Sequence, residues 1–311
     1  MEKKKINFAG PLCLLLAAVI WGISFVAQSE GASVGDFTFI GIRSLLASAS
    51  IFVYILISSA FSKKKNTAEP KIQENKKVLW ICGTVCGLAL CAATNLQQIG
   101  IRLLPEGTSV GKAGFLTALY IVLVPILGIF LKKRISPLVW GAVAIAVCGL
   151  YLIAIPKGSS LGGITSADIL LIACALCFAV HITLCDLFAP KADPVKISCI
   201  QFLVCGVISC IFMFIFEDFD IHKILKMSVP ILYSGVLSGG VAFTLQIIGQ
   251  RFTPPALAAM LMSLESTFSV IADWIIRGNK MSARELIGCA VMFSAIILAQ
   301  LPVSAKKKDK V

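Results

Sequence analysis

The sequence predicts an all-α polytopic membrane protein in which ten transmembrane helices form two inverted five-helix repeats. Three observations lead to this fold class. Hydrophobic residues make up 58% of the 311 residues and charged residues only 14%, whereas soluble domains usually carry about 25% charged residues. Ten apolar segments are each long enough to cross a bilayer. Finally, a seven-residue pattern, L-Q-x-I-G-x-R, occurs once in each half of the chain.

The apolar segments follow one another with short polar breaks between them. A helix needs about 20 apolar residues to cross the hydrocarbon core of a bilayer, and Gly and Pro mark most of the breaks. No cleavage site of small residues follows the first segment, so we expect a retained helix and not a signal peptide. The predicted helices span residues 8–28, 36–60, 78–101, 109–131, 136–155, 167–189, 195–216, 228–250, 255–277 and 282–303.

The formal net charge of +12 comes largely from short basic runs between these segments. No aromatic residues are interleaved with the runs, so they suit lipid head groups better than nucleic acid. Most Lys and Arg lie on the side of the two termini, which the positive-inside rule places in the cytoplasm. We therefore expect a multi-pass protein of the cell membrane, with the lipid bilayer as a partner and no nucleic acid. The basic runs are Lys3–Lys5, Lys63–Lys65, Lys132–Arg134 and Lys306–Lys308.

The repeated pattern defines how the two halves are related. Leu96–Arg102 ends the predicted third helix, and Leu245–Arg251 ends the eighth. Because five helices separate them, and an odd number reverses the chain direction, the two Arg residues emerge on opposite sides of the membrane. We expect a first repeat at 8–155, a second at 167–303 and a basic cytoplasmic tail at 304–311. Other positions that match between the halves are Ala113–Leu119 with Ala258–Leu264, Arg43 with Gln201, and Ser136 with Ser282.

Inverted repeats have a direct mechanistic use. One sequence pattern can adopt two packings, and exchanging these between the halves opens a midplane site to each side in turn. No G-x-x-x-x-G-K-[ST] phosphate-binding motif occurs in the sequence, so we expect neither direct use of ATP nor a cofactor. The sequence therefore predicts a secondary transporter that works by alternating access on a small molecule.

One group of segments carries a resemblance to a known family: Trp21–Phe25, Arg43, Thr108–Tyr120 with Pro125, and Ser263–Glu265. With these residues the chain resembles the EamA-type family of the drug/metabolite transporter superfamily, over essentially residues 8–303. The resemblance implies ten helices in two five-helix repeats and transport of a small metabolite such as an amino acid. Export is favoured over uptake, and proton coupling is one option.

Ionisable side chains at membrane depth are costly, so each should face a cavity or a partner. Glu265 lies near the middle of the predicted ninth helix, where burial favours the neutral carboxyl form and suits proton coupling. Its alternative role is a hydrogen bond to a neighbouring helix. Lys112 lies near the start of the fourth helix and either holds a carboxylate or extends to the outer surface. Arg43 has the same two interpretations, with packing or gating favoured over ligand contact.

Amide and aromatic side chains complete the candidate substrate-binding or coupling set. Gln97 and Gln246 form a symmetric pair, with Asn95 close to the first. Hydrogen bonding between helices is favoured over substrate contact for these amides. Trp21 and Tyr120 either line the cavity or pack against other helices, and packing is favoured.

His181 is one of four residues on one face of the predicted sixth helix whose side chains are of types that can bind a metal ion. A soft-metal or thiol site is one interpretation, but coincidence within a buried helix is favoured, because Cys behaves as a small apolar residue in such segments. A proton relay from His181 to Asp186 is a second interpretation, although Asp186 is more readily explained by solvation at the helix end. The other members of the set are Cys174, Cys177 and Cys185.

Two alternative functions remain open from the sequence. An exporter of drugs or lipid-like compounds would use a larger, more aromatic cavity, and the chain has only four Trp. An intramembrane enzyme needs a nucleophile beside a base, and no Ser has a neighbouring His or Lys in a G-x-S-x-G setting, so we do not expect an enzyme. The sequence leaves both a monomer and a homodimer open.

Overall fold

The fold was examined in a computed structural model, which describes residues 9–64, 75–105, 110–133, 135–154 and 164–300. The predicted basic tail at 304–311 lies outside these residues. Within them, ten helices are long and apolar enough to cross a membrane, which confirms the predicted fold class. Helices 1 to 10 are Ala9–Gly31, Asp36–Lys64, Lys76–Arg102, Gly111–Phe130, Pro137–Ala154, Ser166–Phe188, Pro194–Phe216, Ser228–Gln250, Pro255–Arg277 and Ala283–Gln300. A short helix, Ile221–Lys226, precedes helix 8.

Local sequence explains where several helices begin and end. The side chains of Asn75 and Asp193 accept hydrogen bonds from the first amides of helices 3 and 7, which otherwise lack partners. Helix 6 begins with a reciprocal capping box between Thr165 and Asp168. Helix 9 ends at Gly278, whose φ of 76° is a left-handed conformation that favours glycine.

Helices 4 and 9 are each broken near the middle, at equivalent positions. Helix 4 consists of Val110–Ala118 and Tyr120–Phe130, and helix 9 of Pro255–Met262 and Glu265–Arg277. The residue before each second part has nearly the same backbone conformation, with φ −58° and ψ −13° at one site and φ −61° and ψ −13° at the other. The breaks fall at the end of the matched segments of the two halves, so they belong to the repeat.

Equivalent helices of the two repeats also make equivalent contacts. Helix 2 packs along helix 7, and helix 5 packs along helix 10, so equivalent helices meet across the boundary. Helix 3 packs on helices 6 and 7, just as helix 8 packs on helices 1 and 2. Helix 4 contacts helix 6 as helix 9 contacts helix 1. This exchange pattern agrees with two five-helix repeats related by a two-fold axis.

The glycine of the repeated heptapeptide joins each half to the first helix of the other. A Cβ atom added to Gly249 would lie 2.8 Å from Leu14 Cγ and 2.9 Å from Gly10 O. One added to Gly100 would lie 2.8 Å from Leu171 Cγ. Since real Cβ atoms do not approach other atoms so closely, glycine permits both contacts, as small residues do in other membrane helix pairs.

A second pair of glycines shows the same equivalence between helices 3 and 8. A Cβ atom on Gly87 would lie 2.9 Å from Gln201 O, and one on Gly235 would lie 2.9 Å from Arg43 O. The backbones of helices 3 and 8 therefore cross helices 7 and 2 at matched points. This also places Arg43 and Gln201 at equivalent positions, as the sequence predicted.

Between its matched glycines, helix 8 nevertheless contains one residue more than helix 3. The interval from Gly235 to Gly249 is one residue longer than the interval from Gly87 to Gly100. The additional residue falls where helix 8 widens into a π-helix at Tyr233–Ala242. A π segment accommodates an inserted residue without ending the helix, and such segments are frequent at functional sites.

Candidate functional site

A cavity lies between the two repeats and encloses about 470 Å³ of space that no atom occupies, part of it open to solvent. We call it the central cavity. Its walls come from helices 1, 2, 3 and 4 of the first repeat and helices 6, 8 and 9 of the second. The lining residues are Trp21, Ser24, Phe25, Gln28, Arg43, Thr94, Gln97, Tyr120, Phe178, Ile182, Ser238, Phe243, Gln246, Met262 and Glu265.

The walls of the central cavity follow the internal duplication. Gln97 and Gln246, the amides of the repeated heptapeptide, both line it. Trp21 and Phe178 also occupy matching positions on helices 1 and 6, in the register set by the packing of those helices. The cavity therefore straddles the boundary at which the halves are exchanged.

Tyr120 and Glu265 meet in the central cavity. Each is the first residue after the break in its helix, so the two positions are equivalent in the repeats. The Tyr120 hydroxyl donates a hydrogen bond of 2.9 Å to Glu265 Oε1, and both residues are buried. Among the described residues, no Lys or Arg lies within ion-pairing distance of the Glu265 carboxyl group. The arrangement provides a buried acidic group that has a neutral neighbour.

Arg43, on helix 2 of the first repeat, contributes a buried cation to the wall of the central cavity. The Arg43 residue is only 5% exposed, and its guanidinium carbon lies 5.6 Å from the centre of the Phe39 ring. Within the part of the chain that the structure describes, Arg43 forms no ion pair with a carboxylate. The sequence favoured packing or gating for Arg43, and the structure places it in the cavity wall.

Four buried polar atoms of lining residues have no hydrogen-bond partner among the described residues. They are the donors Trp21 Nε1 and Ser24 Oγ and the amide oxygens of Gln28 and Gln246. Buried polar groups are normally paired, so these atoms are available to a polar molecule or to water in the cavity.

Aromatic rings form an apolar wall beside these polar atoms. The Trp21 and Phe243 rings pack edge to face with centroids 4.7 Å apart, and Phe202 packs behind Phe243 at 5.2 Å. The sequence favoured simple packing for Trp21. In the structure, Trp21 both packs on an aromatic neighbour and lines the cavity.

Comparison with known proteins agrees with this architecture. Residues 8–155 and 165–301 match the EamA-like transporter family. The chain belongs to this family. An uncharacterized transporter from Archaeoglobus fulgidus is 25% identical over 300 residues, which cover 94% of the chain and 86% of that protein. A protein of known crystal structure is similar to the chain with a TM-score of 0.73 and 17% sequence identity. The match covers 94% of the chain and 96% of the chain in the crystal structure, and it shows the fold alone. The protein is thus a membrane transporter with two EamA repeats.

Lys112 does not line the central cavity of this EamA protein. Its Nζ lies 2.7 Å from Asp168 Oδ1, and both side chains are largely buried. The Lys112 ammonium group therefore already has a carboxylate partner, supplied by helix 6. Of the two roles considered from the sequence, holding a carboxylate or extending to the outer surface, this pairing corresponds to the first, with a carboxylate of the protein itself.

Asn95 and His181 also lie outside the set of lining residues. Asn95 donates hydrogen bonds to Ser209 Oγ at 2.9 Å and to Cys91 O at 2.8 Å, so it links helices 3 and 7. His181 Nε2 lies 3.0 Å from Gln201 Oε1. These two candidates thus hold helices together around the cavity and do not face it.

The structure does not support the interpretations of helix 6 as a relay or a metal site. Asp186 pairs with Lys133 and not with His181, so the predicted solvation of Asp186 is replaced by an ion pair. Among the described residues, no cluster of three or more His, Cys, Asp or Glu side chains is arranged to hold a metal.

Ion pairs between helices concentrate on the side of the cavity where Arg102 lies. Arg102 Nε lies 2.6 Å from Asp36 Oδ2, and Arg277 Nη2 lies 2.6 Å from Glu30 Oε1. The pair of Lys112 with Asp168 is on the same side. On the opposite side, the described residues contain only the pair of Lys133 with Asp186. These charged contacts are suited to hold one side of the EamA fold closed.

Sequence reasoning missed several lining residues of the EamA cavity. Phe178 could have been found, because it matches Trp21 in the second repeat. Gln28 is one turn beyond the quoted Trp21–Phe25 motif and carried no separate signal. Ser238 lies in the π segment, whose widened backbone has no simple sequence pattern, and therefore needed the structure.

Proposed function

We propose that this EamA protein is a secondary transporter that moves a small polar metabolite, an amino acid or a related compound, across the cell membrane by alternating access. The observation that carries the proposal is the central cavity, which lies between exchangeable repeats and has buried polar atoms to which the described residues offer no hydrogen-bond partner. Such a site is where an inverted-repeat transporter binds its substrate.

The broken helices support the same proposal. In transporters, interrupted helices commonly form the substrate and ion sites near the membrane midplane. Here the breaks of helices 4 and 9 bring Tyr120 and Glu265 together in the cavity. Glu265 is the group that we propose for proton coupling, because a buried carboxyl group can bind and release a proton while the cavity changes its access.

The distribution of charged residues supports the proposed orientation of the protein in the membrane and the proposed direction of transport. The positive-inside rule supports both termini in the cytoplasm, which puts the Arg102 side outside and Arg251 inside. We favour export, in line with the family resemblance. In that orientation the ion pairs on the Arg102 side hold the outer side closed, so that the cavity loads from the cytoplasm.

A drug exporter is the second candidate, and the aromatic wall of Trp21 and Phe243 is the observation that favours it. An apolar organic cation would pack on these rings and approach Glu265. Arg43 opposes such a cation, because it adds a positive charge to the same cavity. An enzymatic role has less support: Ser24 has no base beside it among the described residues, and His181 is bonded to Gln201.

The test is flux through purified protein in proteoliposomes, measured with a panel of amino acids and nucleosides and with the lipophilic cation tetraphenylphosphonium. Each compound is measured with and without a pH gradient. We expect an amino acid or related compound to move, faster with the gradient. Empty liposomes provide the background, and Arg251→Gln, at an exposed position outside the cavity, provides a matched variant. If only the lipophilic cation moves, the drug-exporter alternative replaces the proposal, and if no solute moves, the proposal is wrong.

A further inference from the structure

We propose that Arg43 is the anion-binding group of the central cavity, and that the transported compound is a small amphoteric carboxylate. Its carboxylate would bind Arg43 and its ammonium group would face Glu265. This inference rests on the proposed transport function and specifies the substrate class for that site.

The first argument is the state of the Arg43 side chain. A charged group at membrane depth needs a counter-charge or a polar environment, yet the described residues supply no carboxylate to Arg43. Its contact with the Phe39 ring, with 5.6 Å from the guanidinium carbon to the ring centre, supplies no carboxylate to the N–H edges of the guanidinium group. Those edges match a carboxylate through two parallel hydrogen bonds. A bound carboxylate would therefore supply the missing partner.

The second argument is a comparison within the molecule. Gln201 occupies the position in the second repeat that Arg43 occupies in the first, and a glycine of the crossing helix packs on each backbone in the same way. The neutral Gln201 side chain is bonded to His181 and does not line the cavity. The packing at this position therefore does not require a positive charge. The cation is therefore specific to the first repeat, in which the side chain at this position lines the cavity.

The third argument is that the central cavity is lined by one acidic and one basic side chain. Glu265 and Arg43 line the same cavity from different repeats, and they are not paired with each other. A ligand with both an ammonium and a carboxylate group satisfies both residues. A simple amine or a simple carboxylate leaves one buried charge without a partner, and sites of this kind discriminate strongly against such analogues.

The remaining wall indicates the rest of the substrate. Trp21 and Phe243 present aromatic rings beside the polar groups. An apolar side chain on the amphoteric compound would pack against these rings. We therefore expect apolar amino acids to bind more tightly than strongly polar ones.

The experiment is a binding screen with full-length protein in nanodiscs. The probes are the protein amino acids and, for each apolar one, analogues that lack a single group. For L-leucine these are L-leucinamide, 3-methylbutylamine and 4-methylpentanoate. We expect an apolar amino acid to be the tightest probe and each of its three analogues to bind at least about 100-fold more weakly.

Variants assign the carboxylate to Arg43. Arg43→Gln copies the residue at the equivalent position of the second repeat and should abolish the preference for the amino acid over its amide. Arg43→Lys keeps the charge without the planar geometry and should restore part of that preference. Arg251→Gln, at an exposed position outside the cavity, should leave it unchanged. Melting temperatures of all variants show whether each one is folded, and Arg43→Lys keeps the test decisive if Arg43→Gln does not fold.

Three results would overturn the inference: a tightest probe that lacks a carboxylate or an ammonium group, a preference that persists in Arg43→Gln, or no binding by any amphoteric probe. The flux panel separates these results from failure of the proposed function. A nucleoside or a cation that is transported while amino acids are not would retain the transporter and reject the amphoteric substrate.

Discussion

Replacing Gly288 by Ala should force helices 5 and 10 apart. A Cβ atom at Gly288 would lie 2.8 Å from Gly149 O and 3.0 Å from Ile153 N, both of which are backbone atoms of helix 5. Backbone cannot move aside as a flexible side chain can, so the two helices must separate. Overpacking of this kind costs about 1–3 kcal/mol.

A matched substitution isolates that cost. Gly141 is on helix 5, and a Cβ atom there would have no neighbour within 4 Å. Gly141→Ala therefore reports the gain in helix propensity alone, about 1 kcal/mol or less. The difference in the free energy of unfolding between Gly288→Ala and Gly141→Ala should be about 1–3 kcal/mol, measured by unfolding in mixed micelles with increasing SDS.

The two-fold arrangement makes a second, stricter demand. A Cβ atom at Gly149 would lie 2.9 Å from Gly288 O, so Gly149→Ala should cost about as much as Gly288→Ala. Because one separation of the helices relieves both clashes, the double variant should cost less than the sum. Equal stability of Gly288→Ala and Gly141→Ala, within about 0.5 kcal/mol, would refute the close crossing of helices 5 and 10.

Three further predictions concern the site, an ion pair and the topology. Glu265→Gln keeps an acceptor for the Tyr120 hydroxyl but cannot exchange a proton, so pH-driven flux should disappear while the melting temperature persists. Unchanged pH dependence in proteoliposomes would exclude Glu265 from coupling. Lys112→Met leaves the Asp168 carboxylate without its ion-pair partner and should lower the free energy of unfolding by about 1–3 kcal/mol. The double variant with Asp168→Asn keeps the helix cap and should recover most of that loss, as measured by thermal unfolding. No recovery would show that the pair does not act as a unit. A protease added to intact spheroplasts should leave C-terminal and N-terminal tags uncut and should remove both from inside-out vesicles, and cleavage in spheroplasts would reverse the proposed orientation.

The sequence predicted the helices and their symmetry well because both depend on local or repeated patterns. The length of an apolar segment is set by the thickness of the bilayer, so the ten helices could be placed with errors only at their ends. The repeated heptapeptide carried the relation between the halves. Its glycines, Gly100 and Gly249, do pack each half against the other, as expected for a pattern kept in both copies.

Side-chain partners were harder to predict because they depend on contacts between distant segments. The pairing of Lys112 with Asp168 joins helices 4 and 6, and no spacing rule relates the two residues. Tyr120 and Glu265 could be recognised as equivalent from the adjoining matched segments, but their hydrogen bond follows from the breaks of helices 4 and 9. For Arg43, the sequence predicted its depth in the membrane but not that the described residues place no carboxylate within ion-pairing distance.

The single additional residue in the Tyr233–Ala242 segment of helix 8 bears on the energetics of the transport cycle. Two identical halves would make the outward-open and inward-open forms degenerate, since each would be the other turned over. Helices 3 and 8 cannot exchange their packings residue for residue, so this degeneracy is lifted within the protein itself. An offset of 1.4 kcal/mol would already give about a tenfold excess of one form. In the proposed alternating-access cycle, such an offset would give the empty transporter a preferred form even without a gradient.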